Sequence, residues 1–175
     1  MRSIDSIIKL DVTISLFCLQ NRFSPSMARV SKAISHTGDG HLYVVIALIA
    51  WGYDTTHGTT FALAGLTAFA MELPIYWALK NGFKRRRPQE LSLNLFAYIT
   101  PSDQYSLPSG HTAAAFLMAV LLSHFYPACT GYAYFWALLI ASSRVLLGVH
   151  FVTDVALGAV LGMTCAYLAL IGLGV

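Results

Sequence analysis

The chain has 175 residues, 57% of them hydrophobic and only 11% charged, with a formal net charge of +3. Soluble domains carry about 25% charged residues, so this composition excludes an ordinary water-soluble globule and describes an integral membrane protein of one-domain length. The three cysteines, Cys18, Cys129 and Cys165, sit in separate apolar segments without CxxC spacing, which excludes a disulfide framework or a thiolate metal site.

Residues 3–23 place Ile4, Ile7, Ile8, Val12 and Leu16 at helical spacing, with Asp5, Lys9 and Asp11 mainly elsewhere. This predicts an amphipathic helix lying in the interface, with a sixth span as the alternative reading. Lys9 and Asp11 within the apolar stretch argue against a cleaved signal peptide. A second interfacial helix is expected over 24–35, followed by a turn at Thr37-Gly38-Asp39-Gly40. Spans are then expected over about His41–Tyr53, Thr60–Leu79, His111–Tyr126, Tyr132–Leu147 and Thr153–Leu173. Several are lean against the roughly 20 residues that a bilayer asks for. Glu72 and Pro74 predict a buried carboxyl and a kink in the second span. Gly158 and Gly162 give the fifth a small-xxx-small face for close helix contact. The expected fold is therefore all-α: a polytopic transmembrane helix bundle of about five spans, with N-terminal interfacial helices over 1–35 and the membrane domain over 36–175.

With five spans, three polar clusters fall on one membrane face, and the opposite loops 54–60 and 128–131 carry no Lys or Arg. The first cluster runs from Lys80 to Pro88, with five cations in eight residues. It can hold a multiply charged anion, or simply be a positive-inside loop. The second is Pro108-Ser109-Gly110-His111. A serine at a helix start, a glycine that lets backbone approach a ligand, and free amides make an anion site, with His111 beside it to pass a proton. It also reads as an ordinary cap with an interfacial histidine. The third is Ser143, Arg144, His150 and Asp154. His150 and Asp154 are four apart and share a helix face, so the carboxylate can fix the imidazole's tautomer and leave one nitrogen free to attack. Arg144 offers a planar fork suited to phosphate. The plain alternative is a membrane-edge loop with a snorkelling Arg and a capping Asp.

Taken together, the three clusters resemble the type 2 phosphatidic acid phosphatase (PAP2) family, the lipid members of the superfamily that includes vanadium haloperoxidases. Its motifs are matched by Lys80 with Arg87-Pro88, by Pro108–His111, and by Ser143-Arg144 with His150 and Asp154. The likeness covers about residues 40–175. It implies metal-independent hydrolysis of a lipid phosphate or pyrophosphate, with His150 as nucleophile through a phosphohistidine, Asp154 orienting it, and His111 as acid and then base. Lys80, Arg87, Arg144, Ser109 and the Gly110 amide would hold the phosphoryl oxygens, with Pro88, Pro108 and Ser143 supporting the motifs. Candidate substrates are undecaprenyl pyrophosphate, phosphatidylglycerophosphate and phosphatidic acid. No metal, cofactor, nucleic acid or obligate protein partner is expected; the partners are the lipid phosphate and the bilayer. A lipid phosphotransferase using the same intermediate is the alternative, and a non-catalytic anion-binding membrane protein is a weaker one.

Lys84, Arg85 and Arg86 lie outside the motifs and are expected at the bilayer surface, with contact to a second phosphate or anionic headgroups as the alternative. Glu72 is expected to be structural, and His36, His41, His57 and His124 to be interface residues. Apolar side chains below the site are expected to be bundle core, not a dedicated lipid groove. The positive-inside rule would turn the basic face to the cytoplasm. The resemblance instead implies a bacterial inner membrane enzyme whose site faces out.

Overall fold

The computed structural model describes residues 2–20, 24–91, 95–101 and 103–175. Among them there are helices and connecting segments and no strand. The helices are α1 (Arg2–Leu19), α2 (Ser24–His36), α3 (His41–Tyr53), α4 (Gly58–Phe83), α5 (Pro88–Leu91), α6 (Gly110–Phe125), α7 (Thr130–Leu146) and α8 (Val152–Leu173), with a 3-10 turn at Pro127–Cys129. Two helical stretches, Gly58–Leu91 and Val152–Leu173, are long and apolar enough to cross a membrane, and Gly110–Phe125 is a shorter apolar helix.

Helix α6 is apolar on every side and sits at the centre, packed on α4, α7 and α8. A helix without a polar face must be enclosed, and Leu117, Ala119, Val120 and Leu121 are fully buried. Outward faces of α3, α4, α7 and α8 carry exposed Ile49, Ile75, Trp77, Phe135 and Ile171, as a lipid-facing surface requires. The expected glycine seam is present. A Cβ at Gly158 would lie 2.5 Å from Ser109 O, and one at Gly162 only 2.0 Å from Ala113 O. Backbone therefore meets backbone where α8 crosses α6, a contact that drives helix association when water does not.

The far end of the bundle is pinned by Asp54. Its Oδ1 accepts the Thr56 and His57 amides at 2.9 and 3.1 Å, and its Oδ2 accepts the Tyr126 hydroxyl at 2.9 Å. The amides hold this carboxyl below its usual pKa range, with the hydroxyl adding to the effect. Gly58 lets the α3–α4 hairpin close, because a Cβ there would sit 2.0 Å from Ala50 O. Helix α4 runs through Pro74 as one element. At the other end, α2 packs on α7, and α1 touches α7 and α8.

Candidate active site

The end of α4, the start of α6 and the turn after α7 bring the chemistry-bearing side chains together. Lys80 ends the inward face of α4, one turn after Tyr76. Arg87 follows α4, immediately before Pro88 opens α5. His111 stands in the first turn of α6. The tight turn after α7 delivers His150; here Gly148 adopts φ +73° against Phe96 O, a position closed to any residue with a Cβ. A cavity of about 880 Å³ is lined at its head by Arg87, Gly110, His111, Arg144 and His150, with Asp39 and Asp103 beside them. Lys80 reaches the same head through Tyr76 and Asp103. All three clusters therefore meet at one place.

The cations there are buried, and burying charge demands a partner. Asp103 supplies it for two of them. Its Oδ2 accepts from Lys80 Nζ and Tyr76 OH at 2.6 Å each, and its Oδ1 pairs with Arg87. Burial by itself would raise the Asp103 pKa, but these donors outweigh it and hold the carboxyl below its usual range. Arg87 also donates to the Tyr105 carbonyl at 3.0 Å and to the Val149 carbonyl. Arg144 is different. Its Nη1 donates to the neutral Ser35 hydroxyl, its Nε has no partner, and no carboxylate pairs with it among the described residues.

His150 is 3% exposed, and its Nδ1 lies 3.7 Å from Asp154 Oδ2. Burial pushes its pKa down to about 4, and the Arg144 and Arg87 charges act in the same direction against the opposing pull of Asp154. The ring is neutral at neutral pH. Asp154 is fixed from several sides: Oδ2 accepts the Phe151 amide at 2.9 Å, Oδ1 accepts from Arg85 at 2.6 Å, and its carbonyl accepts the Ser109 amide at 3.0 Å. His111 Nε2 lies 2.7 Å from Asp39 Oδ1, and Asp39 Oδ2 meets His36 Nδ1. Burial alone would raise the Asp39 pKa, and the two histidines more than reverse that.

Some expectations need correction. Ser109 occupies the position before α6, but its side chain does not cap the helix; its Oγ accepts from Thr112 Oγ1 at 3.0 Å. Ser143 bonds back to the Ile140 carbonyl at 2.6 Å and supports α7 from within. Arg85 is not at the bilayer surface, because two buried carboxylates, Asp11 and Asp154, draw it inward. His36 joins the site through Asp39. The apolar residues below the site do more than fill a core. Tyr43, Leu48, Leu63, Leu66 and Phe69 line the same cavity, which continues between α3, α4 and α6 as far as Trp51 and Thr59. Glu72 lies on that wall, 2% exposed. Asp39 and Asp103 had no signal beyond residue type, in a turn and a loop; the signal that could have found Tyr76 is its place one helical turn before Lys80. Among the described residues, no group of three His, Cys, Asp or Glu is arranged to hold a metal ion.

Comparison with known proteins agrees with this geometry. The PAP2 superfamily model matches residues 55–173. Decaprenylphosphoryl-5-phosphoribose phosphatase of Mycobacterium tuberculosis is 31% identical over 143 residues, covering 80% of this chain and 77% of that protein. The crystal structure of Aquifex aeolicus LpxE superposes with a TM-score of 0.82 at 25% identity, covering 93% of this chain and 95% of that one. The transmembrane PAP2-type phosphatidylglycerolphosphate phosphatase of Bacillus subtilis gives 0.76 at 27% identity, covering 97% and 86%. The chain belongs to the PAP2 superfamily, and its chemistry is that of a phosphatase.

Proposed function

We propose that the protein hydrolyses a lipid phosphate or pyrophosphate, without a metal ion, through a phosphohistidine on His150. The observation that carries this reading is Arg144. A buried guanidinium without a carboxylate, at the head of a long apolar cavity and beside Lys80, Arg87 and two histidines, calls for a multiply charged headgroup with an apolar tail.

In the first step His150 Nε2, the nitrogen turned away from Asp154, attacks phosphorus and forms the P–N bond. The P–O bond to the lipid breaks, and His111 gives its proton to the leaving oxygen. Nδ1 keeps its proton, and the Asp154 carboxylate offsets the positive charge that forms on the ring as Nε2 becomes bonded. His111 then removes a proton from water, which displaces His150 and releases phosphate. Lys80, Arg87, Arg144 and the Gly110 amide stabilise the charge on the transferring group, where most phosphoryl-transfer catalysis resides. Phosphate must displace Asp103 from Lys80 and Arg87, so that carboxylate stands in for substrate until it arrives. Ser109 and Ser143 serve as supports, with Pro88 and Pro108 shaping the approach to α5 and α6.

The membrane domain is residues 36–175, with five spans at α3, α4, α6, α7 and α8, and α1–α2 lie at the interface. We place the protein in a bacterial inner membrane with the site facing out. Phosphatidylglycerophosphate, phosphatidic acid and undecaprenyl pyrophosphate are the candidate substrates. Arg85 is engaged by two carboxylates and is not free to hold a second phosphate.

Purified protein in detergent is expected to release phosphate from at least one of these lipids in excess EDTA, and vanadate should inhibit it. His150→Ala should remain folded and lose more than about a thousandfold in kcat. Strict Mg²⁺ dependence, or turnover unchanged in His150→Ala, would overturn the reading.

A further inference from the structure

The proposed chemistry leaves one group unexplained: a fourth cation and a second carboxylate buried directly behind the nucleophile. Arg85 Nη1 donates to Asp154 Oδ1 and to Thr153 Oγ1, each at 2.6 Å, while Nη2 donates to Asp11 Oδ2 at 2.7 Å. Asp11 Oδ1 also accepts the Thr153 amide at 3.2 Å, and Oδ2 accepts the Thr153 hydroxyl. The guanidinium lies 4.6 Å from the centroid of the Phe151 ring. The Asp11 and Asp154 side chains are buried, and that of Arg85 is 19% exposed. Neither Asp11 nor Arg85 is a motif position, and Asp11 belongs to α1, outside the residues that the family model matches.

Two acids sharing one guanidinium have a definite consequence. Arg85 and Asp154 alone would form a neutral pair, with little negative potential left for the imidazole. Asp11 returns the trio to a net single negative charge. That charge faces His150, whose other charged neighbours are the cations Arg144 and Arg87. The fork, bonded on both arms, also fixes Asp154 Oδ1, leaving Oδ2 to accept the Phe151 amide and to face the imidazole Nδ1 at 3.7 Å. We propose that Asp11 and Arg85 are positioning residues for the nucleophile, so that helix α1 reaches beneath the active site and sets the orientation and charge of Asp154 behind His150. This rests on the catalytic roles proposed above.

The test is phosphate release by full-length protein in detergent across the pH range, with the lipid phosphate that wild type hydrolyses best. Asp11→Asn and Arg85→Gln should each lower kcat by roughly tenfold to a hundredfold, the range of lost outer-sphere partners at other catalytic centres, with little change in KM. The acid limb of kcat/KM should separate them. Losing the positive charge in Arg85→Gln raises the proton affinity of His150 and moves the limb up by about one pH unit, whereas Asp11→Asn moves it down or leaves it. Arg85→Lys keeps the charge and should restore the limb, but only part of kcat, because one ammonium does not reproduce a two-armed fork. Arg86→Gln, an exposed neighbour, should behave as wild type. If wild type releases no phosphate, or His150→Ala matches it, the catalytic reading itself fails. If those controls hold but Asp11→Asn and Arg85→Gln stay within twofold of wild type, or lose rate with neither limb moved, the positioning role is overturned. Where Arg85→Gln does not fold, Asp11→Asn and Arg85→Lys decide on the split between kcat and KM: a lowered kcat with little change in KM in both supports the positioning role, and both staying within twofold of wild type overturns it.

Discussion

Lys80, Arg87 and Arg144 are each 5% exposed or less, yet they are provided for unequally. Asp103 answers two of them and leaves the third with a hydroxyl. An arriving phosphate dianion gains most at Arg144, which alone of these three cations has no carboxylate partner among the described residues. His150, the proposed nucleophile, is tuned by the same burial. With its pKa near 4, His150 keeps its lone pair at neutral pH and loses it only in acid. The sign follows directly: activity is present above that pKa and is lost as pH falls through it. After correction for the substrate's own second ionisation, near pH 6, kcat/KM should hold down to about pH 5 and fall below it. A limb at the ordinary imidazole value of about 6.5 would mean that His150 is solvated in the working enzyme.

The α6–α8 crossing sets the spacing of the proposed catalytic groups, since Gly158 meets Ser109 O and the Ser109 amide meets Asp154 O. Gly158→Ala should force the two helix starts apart. The expected cost is about 1–3 kcal/mol, the usual range for overpacking, seen as a lower thermal midpoint in detergent and a fall in kcat larger than any rise in KM. Unchanged midpoint and rate would show that the crossing is loose. This contact was legible in the sequence, because glycines four apart on an apolar helix have few other uses. So were α3 and the approximate limits of α4, α6, α7 and α8, through their apolar runs and the Pro and Gly residues that end them. The motif residues were legible because their types and spacings are specific. Asp39 and Asp103 were not, since they reach the site from a turn and an irregular loop, where periodicity carries no information; Tyr76, one turn before Lys80 on α4, shares its face by helical spacing. Arg85 was misplaced for a related reason: in a run of four cations, nothing local distinguishes the one that two distant acids will bury.

Across the bundle, the polar head and the apolar groove form one continuous cavity. Thr59 and Tyr76, at its two ends on α4, are about 26 Å apart at a rise of about 1.5 Å per residue. Such a groove suits a lipid tail lying between α3 and α4 while its phosphate meets the cations. Sequence reading took these side chains for core because an apolar wall and an apolar core have the same composition. Ala47→Trp, which narrows the groove, should raise KM for long-chain substrates at least tenfold and leave a short-chain phosphate within about twofold. Equal effects on both would place the tail elsewhere. The sharpest test of the whole arrangement is to trap the phosphoenzyme. With ³²P-labelled lipid phosphate and an alkaline quench, label should appear on His150, stable to base and released by acid, and should be absent from His150→Ala. Turnover with label on another residue, or rapid-quench turnover with no labelled protein at any time, would contradict it.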